Sequence, residues 1–276
     1  MSNNTASPTN STTPVARMAQ NGVFERFARA GFVMSGLVHL LIGYIAIRLA
    51  VGGSSGTADQ SGAMAELSAK PGGGFALWAG GIALSVLALW RLAEAALGSS
   101  SEPGADDKKS EALNRVKAFS LAVIYCAFAV SAFGFARGSG TSSSAQSTGI
   151  TARMMQNTAG TIALVVAGLI IIAVGGYHVY KGATQSFLTD LKGSPSTLVR
   201  RLGTIGYLAK GLAIAAMGLL VILAVSRSDP EEASGLDGAF KTLGAQPYGA
   251  ALLITAGLGI ITYGVYSFVM ARYAKM

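Results

Sequence analysis

The sequence predicts an all-α integral membrane protein. Its six transmembrane helices form three parallel two-helix repeats in a pseudo-threefold bundle, with a short amphipathic helix in each outward loop. Three observations support this prediction. Of the 276 residues, 51% are hydrophobic and 12% charged, about half the charged fraction of a soluble domain. The apolar residues gather in six long runs, and one stretch of the chain occurs three times.

The six apolar runs are each about 20 residues long, which is enough for a helix to cross a hydrocarbon core of ~30 Å. They do not alternate strictly, and backbone groups in lipid must find partners within the segment. Both facts favour helices over strands. The runs are residues 30–51, 75–97, 117–136, 159–180, 204–226 and 250–271.

The internal repeat shows when residues 62–91 are laid without gaps over 149–178 and 238–267. Glycine coincides at three positions, and an aromatic residue coincides at a fourth (Trp90, Tyr177 and Tyr266). We infer three repeat units, at residues 29–97, 116–182 and 203–272. The coinciding glycines are Gly62, Gly149 and Gly238; Gly73, Gly160 and Gly249; and Gly81, Gly168 and Gly257.

The outward loop of each unit contains the start of this repeated stretch. Residues 61–67 and 237–243 are predicted to be short helices, with Ser61 and Asp237 as the capping residues. Their apolar residues are spaced three apart, so one face should rest on the bundle. The middle copy, residues 149–154, is similar but lacks the proline that follows the other two.

The flanking segments predict the organisation and orientation of the chain. Residues 1–16 are rich in Ser, Thr, Asn and Pro, which predicts a disordered tail, and residues 17–276 form a single membrane domain. Of the 21 Lys and Arg residues, fifteen fall on the side of the termini, which predicts that both termini are cytoplasmic. The positive-inside effect also explains the net charge of +8, without a nucleic-acid-binding patch. The six on the other side are Arg48, Lys70, Arg137, Arg153, Arg227 and Lys241.

Glycines within the spans recur at a spacing of seven residues, two helical turns, and so share a helix face. Small residues on one face let helix backbones approach closely in lipid. We therefore interpret them as helix-packing positions. The pairs are Gly36 and Gly43, Gly168 and Gly175, Gly211 and Gly218, and Gly257 and Gly264.

Two ionisable residues lie within the spans, where such groups are functional candidates. His39 lies mid-span on the Gly36 and Gly43 face, so it either makes an interhelical hydrogen bond or handles a proton or ligand. Lys210 lies ~9 Å inside the fifth span. Its side chain either snorkels to the interface or contributes to a pocket.

Three further candidates lie near the inner ends of the spans. Arg91 is three residues before Glu94 and is expected to pair with it. His178 and Tyr177 fit an interfacial aromatic belt. Since Arg91, His178 and Ser267 occupy the same repeat position, the alternative is a ring of polar groups around an inner vestibule.

Catalytic and metal-binding signatures are missing from the sequence. It has no P-loop, HExxH, CxxC or Gly-x-Ser-x-Gly motif, so we predict no catalytic residues. With one cysteine and two histidines at different expected depths, we also predict no metal site and no cofactor. A haem with both histidines as ligands is disfavoured for the same reason.

Several motifs together resemble the bacterial family described as domain of unknown function 1206. They are residues 31–39 (GFVMSGLVH), 175–182 (GGYHVYKG), 206–211 (GYLAKG), 237–240 (DGAF) and 246–249 (QPYG). The middle unit departs from the pattern, with Val123 where the others have Gly36 and Gly211. The resemblance implies six spans built from three two-span repeats in a bacterial plasma membrane, and implies no activity.

Two functions remain open from the sequence. The first is binding or permeation of a small solute or lipid, with a pocket near His39 on the pseudo-threefold axis. The second is a structural or assembly role, in which the protein binds other membrane proteins of the cell envelope. In both cases the lipid bilayer is the surrounding partner.

Overall fold

The structure, a computed structural model, describes residues 22–52, 56–97, 108–193 and 195–275. The predicted tail at residues 1–16 lies outside the described residues. The described chain is helical. Its α-helices are α1 (Gly22–Ala50), α2 (Gln60–Ser68), α3 (Gly73–Leu97), α4 (Lys108–Ala136), α5 (Ser143–Met154), α6 (Thr158–Ala183), α7 (Thr197–Arg227), α8 (Gly235–Gly244) and α9 (Gly249–Tyr273). Two short 3₁₀ helices, η1 (Ser186–Asp190) and η2 (Pro230–Ala233), follow α6 and α7.

Six of these helices are long and apolar enough to span a membrane: α1, α3, α4, α6, α7 and α9. They confirm the six predicted spans. The three shorter helices, α2, α5 and α8, each connect the two spans of one repeat. We call the end of the bundle that bears them the capped end, and the opposite end, where α1 begins and α9 stops, the basic end.

The repeats interlock rather than standing as separate hairpins. The second span of each repeat packs along the first span of the next: α3 on α4, α6 on α7, and α9 back on α1. The two spans within a repeat contact each other less, and α4 and α6 of the middle repeat make little contact. Because the third repeat returns to the first, the arrangement is a pseudo-threefold bundle, as predicted.

Reciprocal glycines bring α1 and α9 together. A Cβ added at Gly43 would lie 2.5 Å from the carbonyl oxygen of Gly257, and one added at Gly257 would lie 2.8 Å from that of Gly43. Gly36 and Gly264 face each other in the same way, at 3.0 and 2.9 Å. The seven-residue spacing therefore places two backbone contacts along one antiparallel pair of helices.

The same geometry recurs between α6 and α7. A Cβ at Gly168 would lie 3.0 Å from the Gly218 carbonyl oxygen, and one at Gly175 would lie 2.7 Å from that of Gly211. The reverse approaches are 2.6 and 2.7 Å. Two of the three interfaces between repeats thus use matched pairs of glycines.

The third interface, between α3 and α4, uses alanine. Ala88, Ala122 and Ala129 are 2%, 0% and 4% exposed. The contact at one end of this interface matches the one between α6 and α7. Phe133 of α4 lies against Gly81 of α3, and Ile222 of α7 lies against Gly168 of α6. Phe133 follows Ala129 by four residues, and Ile222 follows Gly218 by four.

This register corrects one match made from the sequence. The position equivalent to Gly36 and Gly211 is Ala122 rather than Val123, which is 52% exposed on the outer face of α4. The alignment made from the sequence was shifted by one residue. Ala122 and Val123 are both apolar, and they differ in whether the side chain points to the neighbouring helix or away from it.

At the capped end, hydrogen bonds join the outward segments of the first and second repeats. Asp59 is 4% exposed, and its Oδ2 accepts a hydrogen bond from the Ser144 hydroxyl at 2.9 Å. The Ser61 hydroxyl accepts one from the backbone N–H of Ser143 at 3.0 Å. Buried polar groups must be paired in this way to offset their lost hydration.

Two further hydrogen bonds complete a ring around the capped end. The Ser147 hydroxyl of the second repeat donates to the Ala233 carbonyl of the third at 2.6 Å. The Asp237 carboxylate of the third repeat accepts from the Ala58 N–H of the first at 2.8 Å. Each repeat is therefore tied to both neighbours at this end.

The outward helices begin earlier than the sequence suggested. Asp59, not Ser61, caps α2, because its carboxylate accepts from the Gly62 N–H at 2.9 Å and Ser61 donates to it. Asp237 lies in the first turn of α8 and pairs with Lys241 at 2.6 Å. Both predicted caps were wrong by two or more residues.

The predicted apolar faces of the outward helices do rest on the bundle. Met64 of α2 and Phe240 of α8 are each 3% exposed. Met64 packs with Leu77 of α3, and Phe240 packs in the cluster that contains Val38 of α1. α2 and α8 thus close the capped end by apolar packing as well as by hydrogen bonds, whereas in α5 the buried residue is Thr151 and Ile150 is 57% exposed.

Candidate functional site

The basic end contains a cavity of about 420 Å³ between α1, η1, α7 and α9. Its volume is within the range of ~300–1,000 Å³ typical of small-molecule sites. Its wall combines aromatic, apolar and charged side chains. They are Phe32, Thr189, Asp190, Tyr207, Tyr263, Met270, Ala274 and Lys275.

The segment after α6 forms one side of this cavity because Phe187 anchors it. Gln185 takes a left-handed backbone conformation (φ 58°) that ends the helix and redirects the chain. Phe187 is fully buried and sits on Gly203 of α7, where any Cβ would overlap its ring. Glycine at 203 is therefore required by the close approach of an aromatic ring.

The C-terminal segment holds the other side of η1. Leu191 and Ala274 form an antiparallel bridge. The Lys192 N–H donates to the Tyr273 carbonyl at 2.7 Å, and the Lys275 N–H donates to the Asp190 carbonyl at 2.8 Å. These bonds connect the end of the second repeat to the end of the third across the cavity.

A cluster of four aromatic rings lies beside the cavity. Tyr207 stacks on Phe187 with centroids 5.3 Å apart, and it lies 5.5 and 5.7 Å from Tyr263 and Tyr266. Phe187 and Tyr266 meet edge-to-face at 5.3 Å. The rings come from η1, α7 and α9, so the cluster holds the linker after the second repeat against the two spans of the third.

Tyr263 brings together two of the residues that the sequence singled out. The Lys210 Nζ donates to the Tyr263 hydroxyl at 2.9 Å and lies 4.1 Å from the ring centroid. The His39 ring lies 4.8 Å from that of Tyr263. His39 and Lys210 therefore lie behind a wall residue of the cavity, on spans of the first and third repeats.

These contacts show where the two side chains point. Lys210 points to Tyr263 rather than snorkelling to the interface. The His39 Nδ1 lies 2.7 Å from the Ser35 carbonyl oxygen of its own helix, so Nδ1–H donates within α1 and the ring only packs against Tyr263.

The remaining predicted residues are not gathered in the cavity. His178 Nδ1 bonds to the Val174 carbonyl at 2.8 Å, and its ring lies 6.0 Å from that of Tyr207, so it stands next to a wall residue without lining the cavity. Tyr177 is 59% exposed on the lipid-facing side. Arg91 pairs with Glu94 at 2.6 Å, as its spacing predicted.

The polar ring suggested by the repeat is not formed. Ser267, equivalent to Arg91 and His178, is fully buried and donates to the Tyr263 carbonyl within its own helix at 3.0 Å. The three equivalent positions thus have three different environments.

The sequence did not predict that Tyr207, Tyr263 and the η1 segment would line a cavity. Tyr263, Tyr266 and Met270 follow one another at helical spacing on α9, and a tyrosine in an apolar span needs a partner for its hydroxyl. That pattern could have marked this face of α9. Nothing local to residues 186–190 predicted that they fold back onto α7.

Six long apolar helices, arranged as an internal threefold repeat, define the chain as a polytopic membrane protein of six spans. It belongs to the family described as Domain of Unknown Function (DUF1206), whose model matches residues 30–98, 116–185 and 205–274, one match to each repeat. The chain is also similar to a Bacillus subtilis (strain 168) protein named "Uncharacterized protein YxxB". The two are 28% identical over 258 residues, which cover 91% of this chain and 92% of that protein. No solved structure matches the chain.

Proposed function

We propose that this protein binds a small solute or a lipid in the cavity at the basic end. The cavity itself carries the proposal: about 420 Å³ of space with aromatic and apolar walls and a few polar groups, the composition typical of ligand sites. Its walls come from spans of the first and third repeats and from η1, in the linker between the second and third. A ligand held there would join the first repeat to the third.

The capped end favours binding over passage through the bundle. The ring of hydrogen bonds through Asp59, Ser147 and Asp237 ties the outward segments together. The paired glycines leave little space between spans on the α1–α9 and α6–α7 interfaces. A molecule that enters at the basic end would therefore stop at Tyr263.

Mass spectrometry of the intact chain from detergent micelles tests this proposal. Met270, 7% exposed, lines the cavity on α9, so Met270→Trp should fill it and remove a co-purifying molecule that the wild type retains. Leu258→Trp, at a 53% exposed position of the same helix, is the matched control and should retain the molecule. Equal retention by all three proteins would place any ligand elsewhere and refute the proposal.

We further propose that the basic end faces the cytoplasm of a bacterial plasma membrane. By sequence, this end has fifteen Lys and Arg against seven Asp and Glu, whereas the capped end has six of each. Three of the six basic residues at the capped end are paired with carboxylates: Arg48 with Glu66, Arg227 with Glu232 and Lys241 with Asp237. The excess of basic residues at one end supports the orientation, since Lys and Arg hold loops in the cytoplasm.

Cysteine labelling in whole cells tests this orientation. In a Cys126→Ser background, an impermeant maleimide should label Ser139→Cys, which is exposed at the capped end, in intact cells. It should label Ser186→Cys, exposed at the basic end, only after the cells are opened. Labelling of Ser186→Cys from outside would reverse the orientation.

An assembly role is the second candidate. One observation favours it: the consecutive spans α4 and α6 make little contact and turn large apolar side chains outward, among them Val130 and Ile162, 70% and 60% exposed. A scaffold of this kind would keep its partner proteins in Met270→Trp. A ligand-dependent protein would lose the bound molecule in that variant.

A further inference from the structure

We propose that the ligand of this cavity is an anion: a carboxylate or phosphate group carried on a small apolar body and bound by tyrosine hydroxyls that Lys210 supports. This inference rests on the proposed binding function and names its ligand class. It comes from a set of hydrogen-bond donors that lack acceptors, together with the balance of charge around the cavity.

Lys210 and Tyr263 form the first donor. An ammonium group has three N–H donors and no acceptor, so in their 2.9 Å contact Lys210 donates and the tyrosine oxygen accepts. The proton of the Tyr263 hydroxyl is then free to be donated to a ligand. A neighbouring cation also polarises that O–H bond, which strengthens it as a donor to an anion.

The charge of Lys210 has no carboxylate partner within the described residues, whose ion pairs all involve other cations. Its contacts are instead with the hydroxyl and ring of Tyr263. A charge in the spanning region without a counter-ion is costly. A bound anion near Tyr263 would supply the missing negative charge.

Tyr207 contributes a second hydroxyl. It lines the cavity, and its hydroxyl makes no hydrogen bond among the described residues. The ring of Tyr266 lies 5.7 Å from that of Tyr207, and its hydroxyl also has no partner in the described chain. Tyr266 is fully buried outside the cavity lining, however, so the donors to a ligand are Tyr263 and Tyr207.

The charges at the wall select an anion over a cation. Asp190 is the one carboxylate in the cavity lining, and it is paired with Lys181 at 2.7 Å. Lys275 also lines the cavity, and Lys210 lies behind Tyr263. The local excess is positive, and complementary charge both attracts the matching ligand and rejects the opposite one.

The rest of the lining sets the character of the ligand body. Phe32 of α1 and Met270 of α9 present apolar surface, and the rings of Tyr207 and Tyr263 present flat aromatic faces. A small aromatic or aliphatic body fits this lining. Two sources share the chemistry: a soluble organic acid, or the anionic headgroup of a lipid in the adjacent leaflet.

Thermal unfolding of the full chain with three matched probes tests the ligand class. Benzoate should raise the Tm by about 5–10 °C at ~100 times its Kd, while neutral benzamide and cationic benzylamine should not. For the lipid source, the probe is reconstitution in phosphatidylglycerol nanodiscs against phosphatidylcholine nanodiscs. Stabilisation by phosphatidylglycerol to which benzoate adds little identifies a lipid headgroup in the same site, and stabilisation by benzoate alone identifies a soluble acid.

Substitutions of single tyrosines test whether their hydroxyls bind the anion. Tyr263→Phe should weaken the bound anion about 10- to 100-fold, since it removes a hydrogen bond to a charged group. Tyr207→Phe removes the hydroxyl of a lining residue that makes no hydrogen bond among the described residues, so the chain should fold with an unchanged Tm but respond less to the anion. Tyr180→Phe, at a 62% exposed position, is the control and should respond like the wild type.

Three results would overturn the proposal: no stabilisation by either benzoate or phosphatidylglycerol, equal stabilisation by benzamide or benzylamine, or unchanged anion binding in both Tyr263→Phe and Tyr207→Phe. Its failure is separable from failure of the binding function. A neutral or cationic molecule that co-purifies with the wild type and is lost in Met270→Trp would refute the anion and leave the binding function standing.

Discussion

Gly175→Leu should abolish folding of the membrane domain, whereas Gly176→Leu, one residue later in the same helix, should be tolerated. A Cβ at Gly175 would lie 2.5 Å from the backbone nitrogen of Ala215 and 2.7 Å from the Gly211 carbonyl oxygen. A Cβ at Gly176 meets nothing within 4 Å. The two substitutions add the same side chain to the same helix, so they differ only in the face that receives it.

The loss of stability in Gly175→Leu should be large because the new side chain would meet backbone atoms of α7, which cannot move aside as a side chain can. Overpacked cores commonly cost ~1–3 kcal/mol when neighbouring side chains can move. Here α6 and α7 must separate along their length, which also breaks the Gly168–Gly218 approach two turns away. In lipid the helices have little attraction other than this packing. We therefore expect a loss at or beyond the upper end of that range.

Size-exclusion profiles and thermal unfolding in detergent measure the outcome. Gly175→Leu should give aggregated or poorly expressed protein, and Gly175→Ala an intermediate loss of Tm. Gly176→Leu should elute and unfold like the wild type. Similar behaviour of Gly175→Leu and Gly176→Leu would show that the close approach of α6 and α7 does not hold the bundle together.

Phe187→Ala should cost about 3–5 kcal/mol of unfolding free energy, the usual range for a buried phenylalanine. Phe187 is fully buried between Tyr207 and Tyr266, and its loss leaves a hole over Gly203. It also releases η1, so the wall of the cavity should loosen and ligand binding should weaken. Leu198→Ala, at a 66% exposed position, is the control and should change stability little.

A double mutant makes this second prediction sharper. Gly203→Leu alone should be strongly destabilising, because its side chain would occupy the space of the Phe187 ring. In the Phe187→Ala background that space is empty, so the two costs should not add, and their coupling measures the contact. Thermal unfolding of the four proteins in one detergent gives the cycle. Simple additivity would contradict the seating of Phe187 on Gly203.

Much of the fold could be predicted from sequence because the deciding interactions are local. The length and apolarity of a run are enough to predict a span, since a chain in lipid must satisfy its backbone within the segment. The recurrence of Gly81, Gly168 and Gly257 indicated three copies of one unit. The seven-residue spacing of glycines indicated which face packs in four of the six spans.

The candidate site could be predicted only in part. Lys210 and His39 stood out as polar groups within apolar spans, and both contact Tyr263. The cavity itself was not predictable, because its walls come from α1, η1, α7 and α9. The residue pattern of one segment does not predict which distant segment will pack against it.

The equivalent positions of the repeats show which properties depend on the sequence alone and which depend on the tertiary structure. The sequence alone determined that Tyr177 and Tyr266 hold the same place in their units, since that depends only on spacing along the chain. The tertiary structure decided that Tyr177 is 59% exposed to lipid while Tyr266 is fully buried beside the cavity. The reason is that η1 and the C-terminal segment fold over the third repeat. Burial depends on contacts between segments far apart in the chain, and symmetry in the sequence does not determine those contacts.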